Sequence, residues 1–345
     1  MSLVGLYPCS NVSAPRELSI TSASLCSVLS LTAITGNALV LLAVIIDPNR
    51  NLRSPFSFLV ANLAAADLIV GIFALPMSVE FYIRESKDSS AIVITPRDDA
   101  RRIGSFISTT ASLFSLAALT VDRFVAITYP MKYRAKLCPQ RTALVSACLW
   151  ICAISFPFLY FEVGYLKYQF VFANTAVVAT FIVLCLTYAR VFKSFKNEVQ
   201  RWDSFNGDTE ENLVKMRALK WEKKVTKTFL VMLTLFIACF FPSLLLIYII
   251  SFCGACNCIF IHWARDLNYI LIMANSSMNP FVFAWRLRTY RRAFVKILSC
   301  GGIVERIENL SGVSMTWTGQ YAVSMNSLAG QTSTSTLSPS NNVPT

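Results

Sequence analysis

A few polar side chains fall where they are costly to keep. Asp67 lies about midway along the otherwise uncharged stretch ANLAAADLIVGIFALP. An ionised carboxylate at membrane depth is expensive unless it is paired or hydrated. The alternative is a protonated Asp67 hydrogen-bonded to its neighbours. Oxygen-bearing partners are available in Ser112 and in the segment NSSMNP, where Asn275, Ser276 and Asn279 share a helical face by their i, i+1, i+4 spacing. One carboxylate among hydroxyl and amide oxygens makes a hard-oxygen pocket. It suits a small cation such as Na⁺, with Asp67 as metal ligand, or a chain of waters. A second pair, Asp122 and Arg123, closes a run from Ile103 to Val121 that carries no charge. Such a pair either snorkels to water or is retained for a purpose. Nothing resembles catalytic machinery: there is one histidine, His262, and no nucleophile–base set or phosphate loop, so an enzyme is not expected.

These residues need long apolar elements to hold them. The 345 residues are 55% hydrophobic, 12% aromatic and only 14% charged, with mean hydropathy +0.54. About a quarter of an average soluble protein is charged, so the chain reads as a membrane protein. Seven apolar windows follow in order, near 18–46, 56–79, 103–127, 142–161, 168–189, 228–252 and 267–285. Each is near or above the ~20 residues that cross ~30 Å of hydrocarbon as a helix. The first is too long for a signal peptide and lacks a basic leader, so it counts as a span. Seven spans put the termini on opposite sides. With the N-terminus outside, the outer segments carry eight basic and eight acidic residues, and the inner face 23 basic and ten acidic. That asymmetry fits inward placement of the positive charge and attraction to anionic membrane lipid, and requires no nucleic acid. The expected organisation is an extracellular tail over 1–17, a seven-span domain over 18–300 and a disordered, Ser/Thr/Asn-rich cytoplasmic tail over 301–345.

One marker per span now forms a pattern. Gly36–Asn37 lie in span one, Asn62, Leu63 and Asp67 in span two, and Asp122–Arg123–Phe124 at the end of span three. Trp150 lies in span four, Tyr188 in span five, CFFP (Cys239 to Pro242) in span six, and NPFVF (Asn279, Pro280 to Phe283) in span seven. Across residues 18–300 the chain resembles the rhodopsin-like (class A) G-protein-coupled receptors. The resemblance implies an all-α membrane protein: a seven-transmembrane helix bundle with a short amphipathic eighth helix, here WRLRTYRRAFVKIL. It also implies a plasma-membrane receptor that binds an extracellular ligand and activates a heterotrimeric G protein by outward movement of helix six. Arg123 would pair with Asp122 and with Glu222 at the foot of span six in the resting state. Met131 would dock in the G protein, Asp67 would hold an allosteric Na⁺, and arrestin and receptor kinases would act on the tail. Phe240 replaces the usual toggle Trp, and Phe283 the usual Tyr of the span-seven motif. Cys300, after the eighth helix, would carry palmitate, and Asn11, in Asn11-Val-Ser13, a glycan.

Two features bear on the ligand. The disulfide that usually ties span three to the second outer loop is absent, since Asp98 stands at the matching position, and span five has Thr180 in place of its usual proline. These absences resemble the melanocortin, cannabinoid, lysophospholipid and adenosine group. The third outer loop, SFCGACNCIF, looks like the melanocortin receptors. Cys9, Cys253, Cys256 and Cys258 face an oxidising side and allow three pairings; a bond within the third loop plus Cys9 to the remaining partner is the first choice. Ser105 replaces the amine-binding Asp of aminergic receptors, and Met273 the retinal-bearing Lys of opsins. The expected ligand pocket is Glu80, Asp98, Ser105, Phe106, Thr109, Phe240, Leu244 and Tyr269, for a peptide or a lipid. Asp98 matches an acid that melanocortin receptors use for basic peptides, whereas Arg102 stands where another acid is expected. A receptor-shaped scaffold that does not signal is the alternative, and a seven-span transporter or channel a further one.

Overall fold

The computed structural model describes residue 9 and residues 12–48, 52, 54–87, 95–129, 133, 139–203 and 210–299. Helix α1 covers Arg16–Ile46 and α2 covers Pro55–Lys87, with a π turn at Val70–Ala74. Helix α3 is Pro96–Thr128. Helix α4 runs from Pro139–Ser155 through a 3₁₀ turn, Phe156–Phe158, to Leu159–Val163. Helix α5 starts at Tyr165–Phe172, widens into a π turn at Ala173–Val177 and continues as Val178–Asp203. Helix α6 is Glu210–Phe252, α7 is Cys258–Arg286 and α8 is Arg288–Leu298. No strand occurs among the described residues.

The helices outrun the apolar windows because their polar ends are capped. Ser54 accepts from the Ser57 amide at 3.2 Å, with Pro55 just inside the start of α2. Thr95 and Asp98 form a reciprocal capping box at the start of α3. The Asn257 side chain accepts from the Ile259 amide at the start of α7. Helices α4 and α5 meet at Gly164 alone, whose φ of 80° is open to glycine without strain. The π turn of α2 leaves the Gly71 carbonyl to a side chain: Ser30 donates to it at 2.8 Å. In α5 Asn174 adds a bond at 2.8 Å to the Phe170 carbonyl, which also accepts from the Ala173 amide.

Burial is inverted relative to a soluble bundle. Large apolar side chains such as Leu31, Leu144, Ile151, Phe158 and Phe281 are exposed around the outside. Asn37, Asp67, Ser112, Asn268, Asn275, Ser276 and Asn279 are buried inside. Six helical segments, in α1 to α6, are long and apolar enough to cross a membrane by length and composition. Helix α7 is long enough, and its polar residues, which dilute its hydropathy, point into the bundle. Helix α8 buries Tyr290, Ala293, Phe294 and Ile297, with Leu287 buried just before it. Leu298, the last residue of the helix, is exposed.

Two disulfides close the end that carries the α6–α7 connection. Cys253 joins Cys256 and Cys9 joins Cys258, with Cα–Cα distances of 5.6 and 5.3 Å. This agrees with the pairing expected from the sequence. The strap from Cys9 is held further where the Val12 carbonyl lies 2.9 Å from His262 Nε2. At the opposite end Lys296 of α8 donates to the Pro48 carbonyl at 3.0 Å.

Helices α1 and α7 approach closely because residue 36 is glycine: a Cβ there would lie 2.8 Å from the Pro280 ring. Overpacking of this kind costs about 1–3 kcal/mol. Gly36→Leu is therefore expected to lower both the melting temperature of the purified protein and its surface expression, whereas the exposed Leu31→Ala leaves both near wild type. A thermal-shift measurement on the two variants checks this.

Candidate functional site

The disulfide end and the end of α3 that carries Arg123 hold different polar assemblies, and a third lies between them. At the Arg123 end, Arg123 Nε and Nη2 donate to Asp122 Oδ2 at 3.0 and 2.5 Å. Tyr133, which follows α3, completes the group. Its hydroxyl accepts from Arg123 Nη2 and donates to Asp122 Oδ1, both at 3.0 Å. Burial pushes the Tyr133 phenol up to about 12, so it stays protonated and able to donate at neutral pH. The Arg123 guanidinium also lies 4.3 Å from the Phe56 ring centre and is buried. Tyr133 carried no sequence signal beyond its position ten residues after Arg123. Glu222 lies in α6, but its side chain is outside the described residues, as are Met131, Asn11 and Cys300.

Midway along the bundle, Asn279 Nδ2 donates to Asp67 Oδ2 at 2.7 Å. Asp67 Oδ1 is buried without a hydrogen-bond partner, and the hydroxyls of Ser112 and Ser276 lie beside the carboxyl. Asn275 is buried on the same stretch of α7. No cluster of three or more His, Cys, Asp or Glu side chains occurs among the described residues. A monovalent ion held by one carboxylate and neutral oxygens therefore fits the donor set better than a transition metal. Around this point Asn37 donates to the Ser276 carbonyl at 3.1 Å, and Trp150 donates to Asn62, which donates in turn to Ser115. These contacts link α1 to α7 and α2 to α3 and α4.

Toward the disulfide end a cavity opens between α3, α5, α6 and α7. Of the residues expected there, Ser105, Phe106, Thr109, Phe240, Leu244 and Tyr269 line it. Phe240 stacks on Phe236 with ring centres 4.6 Å apart. Phe106 packs edge-on against Tyr168 at 4.6 Å. The Tyr269 hydroxyl accepts from Ser78 at 2.5 Å. Glu80 and Asp98 correct the sequence expectation, because neither lines the cavity. Glu80 faces away and pairs with Arg97 at 3.0 Å. Asp98 is spent on Arg84 at 2.5 Å and on the capping box. In their place Arg101 and Arg102 line the wall. Beside the cavity a buried ionic cluster ties three helices. Arg265 of α7 pairs with Glu85 of α2 at 2.8 Å and with its neighbour Asp266 at 2.7 Å. From α1, Ser19 donates to Glu85 at 2.9 Å and Ser22 to Asp266 at 3.0 Å. The only sequence trace of this cluster is the i, i+3 pair of serines in the first turns of α1.

At the other switch positions, Phe283 is buried and stacks on Tyr290 of α8 with centres 5.8 Å apart. Tyr188 is half-buried and stacks on Phe192. Pro280 packs against Gly36.

The family described as 7 transmembrane receptor (rhodopsin family) matches residues 36–167 and 162–283. Among curated proteins, melanocortin receptor 5 of Rattus norvegicus is 28% identical over 283 residues, covering 79% of this chain and 83% of the relative. The histamine H2 receptor of Cavia porcellus is 26% identical over 307 residues, 81% of this chain and 80% of the relative. Galanin receptor 2a of Danio rerio is 29% identical over 311 residues, 82% and 80%.

The Glu85–Arg265 pair gives a test of the cluster. Breaking a buried pair by removing one partner costs about 3–5 kcal/mol. Glu85→Met and Arg265→Met should each lower the melting temperature sharply, and the double variant should lose clearly less than the two single losses together. A double-mutant cycle by thermal denaturation measures that coupling.

Proposed function

The chain belongs to the rhodopsin family of seven-transmembrane receptors and is a multi-pass G-protein-coupled receptor, and we propose that a ligand in the cavity between α3, α5, α6 and α7 activates it by moving α6 outward. In this reading the N-terminus and the disulfide end are extracellular, the Arg123 end faces the cytoplasm and the protein sits in the plasma membrane. The orientation draws on the neutral balance of the outer segments and the basic excess of the inner ones.

The observation that carries the proposal is the buried latch of Arg123, Asp122 and Tyr133. A guanidinium held by an adjacent carboxylate and a phenol is satisfied at rest. It can be re-aimed once its surroundings open, which is the property a two-state element needs. Glu222 of α6 would add a tie across to the moving helix. Ligand contact at Phe240 and Leu244 would press on α6 from the cavity side, and the Phe236–Phe240 stack would carry that pressure along the helix. Phe240 and Phe283 replace the polar-edged residues usual at these places, so rings rather than hydrogen bonds set this path. Asp67, with one orphan oxygen beside Ser112 and Ser276, is the candidate site for a Na⁺ that favours the resting state. Arrestin and receptor kinases would be further partners, acting on the C-terminal tail.

The test is ligand-independent G-protein dissociation in cells at matched surface expression. Asp122→Asn and Glu222→Ala should raise the basal signal through at least one Gα class. Arg123→Ala should lower it by about tenfold, the equivalent of ~1.4 kcal/mol. If Arg123→Ala signals as wild type does, the latch has no role in coupling. A second measurement follows from Asp67: raising Na⁺ in place of an impermeant cation should depress the basal signal of wild type, and Asp67→Asn should lose that dependence.

A further inference from the structure

Arg101 and Arg102 follow one another in the first two turns of α3, and both line the cavity although each is only 8% exposed. They are not equivalent. Arg102 has a carboxylate, Asp99, at 3.6 Å, a weak contact to the Tyr160 hydroxyl at 3.4 Å, and the Tyr165 ring 4.2 Å away. Arg101 has no ion pair among the described residues. Its guanidinium lies 4.5 Å from the Phe81 ring centre and 5.5 Å from that of Tyr269, and its Nε is buried without a partner. Of the acids nearby, Asp98 is bonded to Arg84 and Thr95 and acts on Arg101 only through space, and Glu85 and Asp266 are bound by Arg265, Ser19 and Ser22. Among the described residues no Asp or Glu lines the cavity itself.

A buried guanidinium without a bonded counter-charge is costly, and ring faces and a carboxylate acting from a distance recover only part of that cost. The group that completes it is a carboxylate or phosphate, which matches the planar fork of donors. The rest of the wall selects the remainder of the ligand. Phe106, Phe172, Val177, Phe240, Leu244 and Ile247 give a predominantly apolar surface. From Arg101 to Thr109 the cavity runs along α3 for about 12 Å at ~1.5 Å per residue. An amine or a basic peptide would set its charge against two arginines with no acid in the wall.

We propose that the cavity binds a small anionic amphiphile, with its carboxylate or phosphate headgroup on Arg101 and its apolar body against the wall toward Thr109 and Phe240. Arg102, half-neutralised by Asp99, supports the headgroup from the side. The proposal rests on the reading of this cavity as the receptor's ligand site and adds the chemistry of the ligand.

The test uses the full-length receptor in nanodiscs of zwitterionic phosphatidylcholine, with binding read directly by calorimetry and thermal shift. The probes are decanoate, decyl phosphate, decanol, decyltrimethylammonium and inorganic phosphate. Decanoate or decyl phosphate should bind saturably and stabilise the receptor. Decanol and decyltrimethylammonium should bind at least about tenfold more weakly. Arg101→Gln should weaken the anionic probes by about tenfold or more, Arg102→Gln by less, and Arg101→Lys should retain part of the affinity. If Arg101→Gln fails to reach the membrane, Thr109→Trp, which fills the inner part of the cavity and keeps both arginines, has to abolish decanoate binding. Equal or tighter binding of the cationic probe, no binding of either anionic amphiphile, or affinity indifferent to both Arg101→Gln and Thr109→Trp overturns the proposal. Inorganic phosphate binding as tightly as decyl phosphate overturns it too, because the apolar wall would then take no part. The same probes applied to cells in the G-protein dissociation assay separate the two readings. Binding that follows these rules without any change in signal supports the site and removes ligand activation.

Discussion

Hydrocarbon offers no hydrogen bonds, and much of this structure follows from the need to satisfy polar groups without water. Backbone groups are satisfied within helices, and where a π turn frees a carbonyl, a side chain supplies the missing donor, as Ser30 does for Gly71. Polar side chains turn inward and find each other. Asp67 meets Asn279, Asn37 meets the backbone of Ser276, and Asn62 stands between Trp150 and Ser115. Each of these joins two helices, so the polar seam constrains how the bundle packs. Outside it, Leu, Ile and Phe side chains face outward with little specificity. Close approaches add to the seam where side chains are absent, as at Gly36 against Pro280 and Gly104 against the Phe73 ring.

Three arginines in this bundle differ chiefly in what neutralises them. Arg265 has two acids, both buried and both also bound by serines of α1, so it ties α1, α2 and α7 together. Arg123 has one acid and one phenol, both within ten residues of it in sequence. Its contacts are to groups near it in the chain and to the Phe56 ring of α2, apart from the polar seam between helices. Arg101 has aromatic faces and no acid in ion-pair contact among the described residues, Asp98 acting on it only through space, and its charge stands at the wall of an apolar cavity. The number and location of counter-charges thus separates an arginine tied to two other helices, one held by groups near it in the chain and one that faces the cavity without an ion pair among the described residues.

Legibility in the sequence followed how local each feature is. Asp67 and the Asn275, Ser276 and Asn279 face stood out because a carboxylate midway along an apolar run is rare whatever surrounds it. The cavity residues Ser105, Phe106, Thr109, Phe240, Leu244 and Tyr269 were reached through the family's arrangement of spans, and they do lie around one space. Glu80 and Asp98 were misplaced for a physical reason. Each has an arginine within reach, Arg97 and Arg84, and Asp98 also caps its own helix, so both are drawn away from the cavity. Arg101 was counted only as one of the outer charges, because its significance lies in what fails to meet it. Tyr133 and the Ser19–Glu85–Arg265–Asp266–Ser22 group were missed, since no spacing rule brings residues 19, 85 and 265 together.

The sequence by itself determined that the chain is a bundle of membrane-spanning helices, roughly where each lies and which few polar residues are out of place. Hydrophobic length and helical periodicity are properties of contiguous segments and need no partner to be read. Cys9 and the clustered Cys253, Cys256 and Cys258 also narrowed the disulfides to three pairings. Only the tertiary structure decided which charges cancel and which remain. Pairing at helix ends depends on the height and rotation of helices far apart in the chain, and a shift of one residue turns a side chain by about 100° around its helix. That is why the equal count of eight acids and eight bases expected in the outer segments hides an Arg101 that stands in the cavity wall with no ion pair among the described residues.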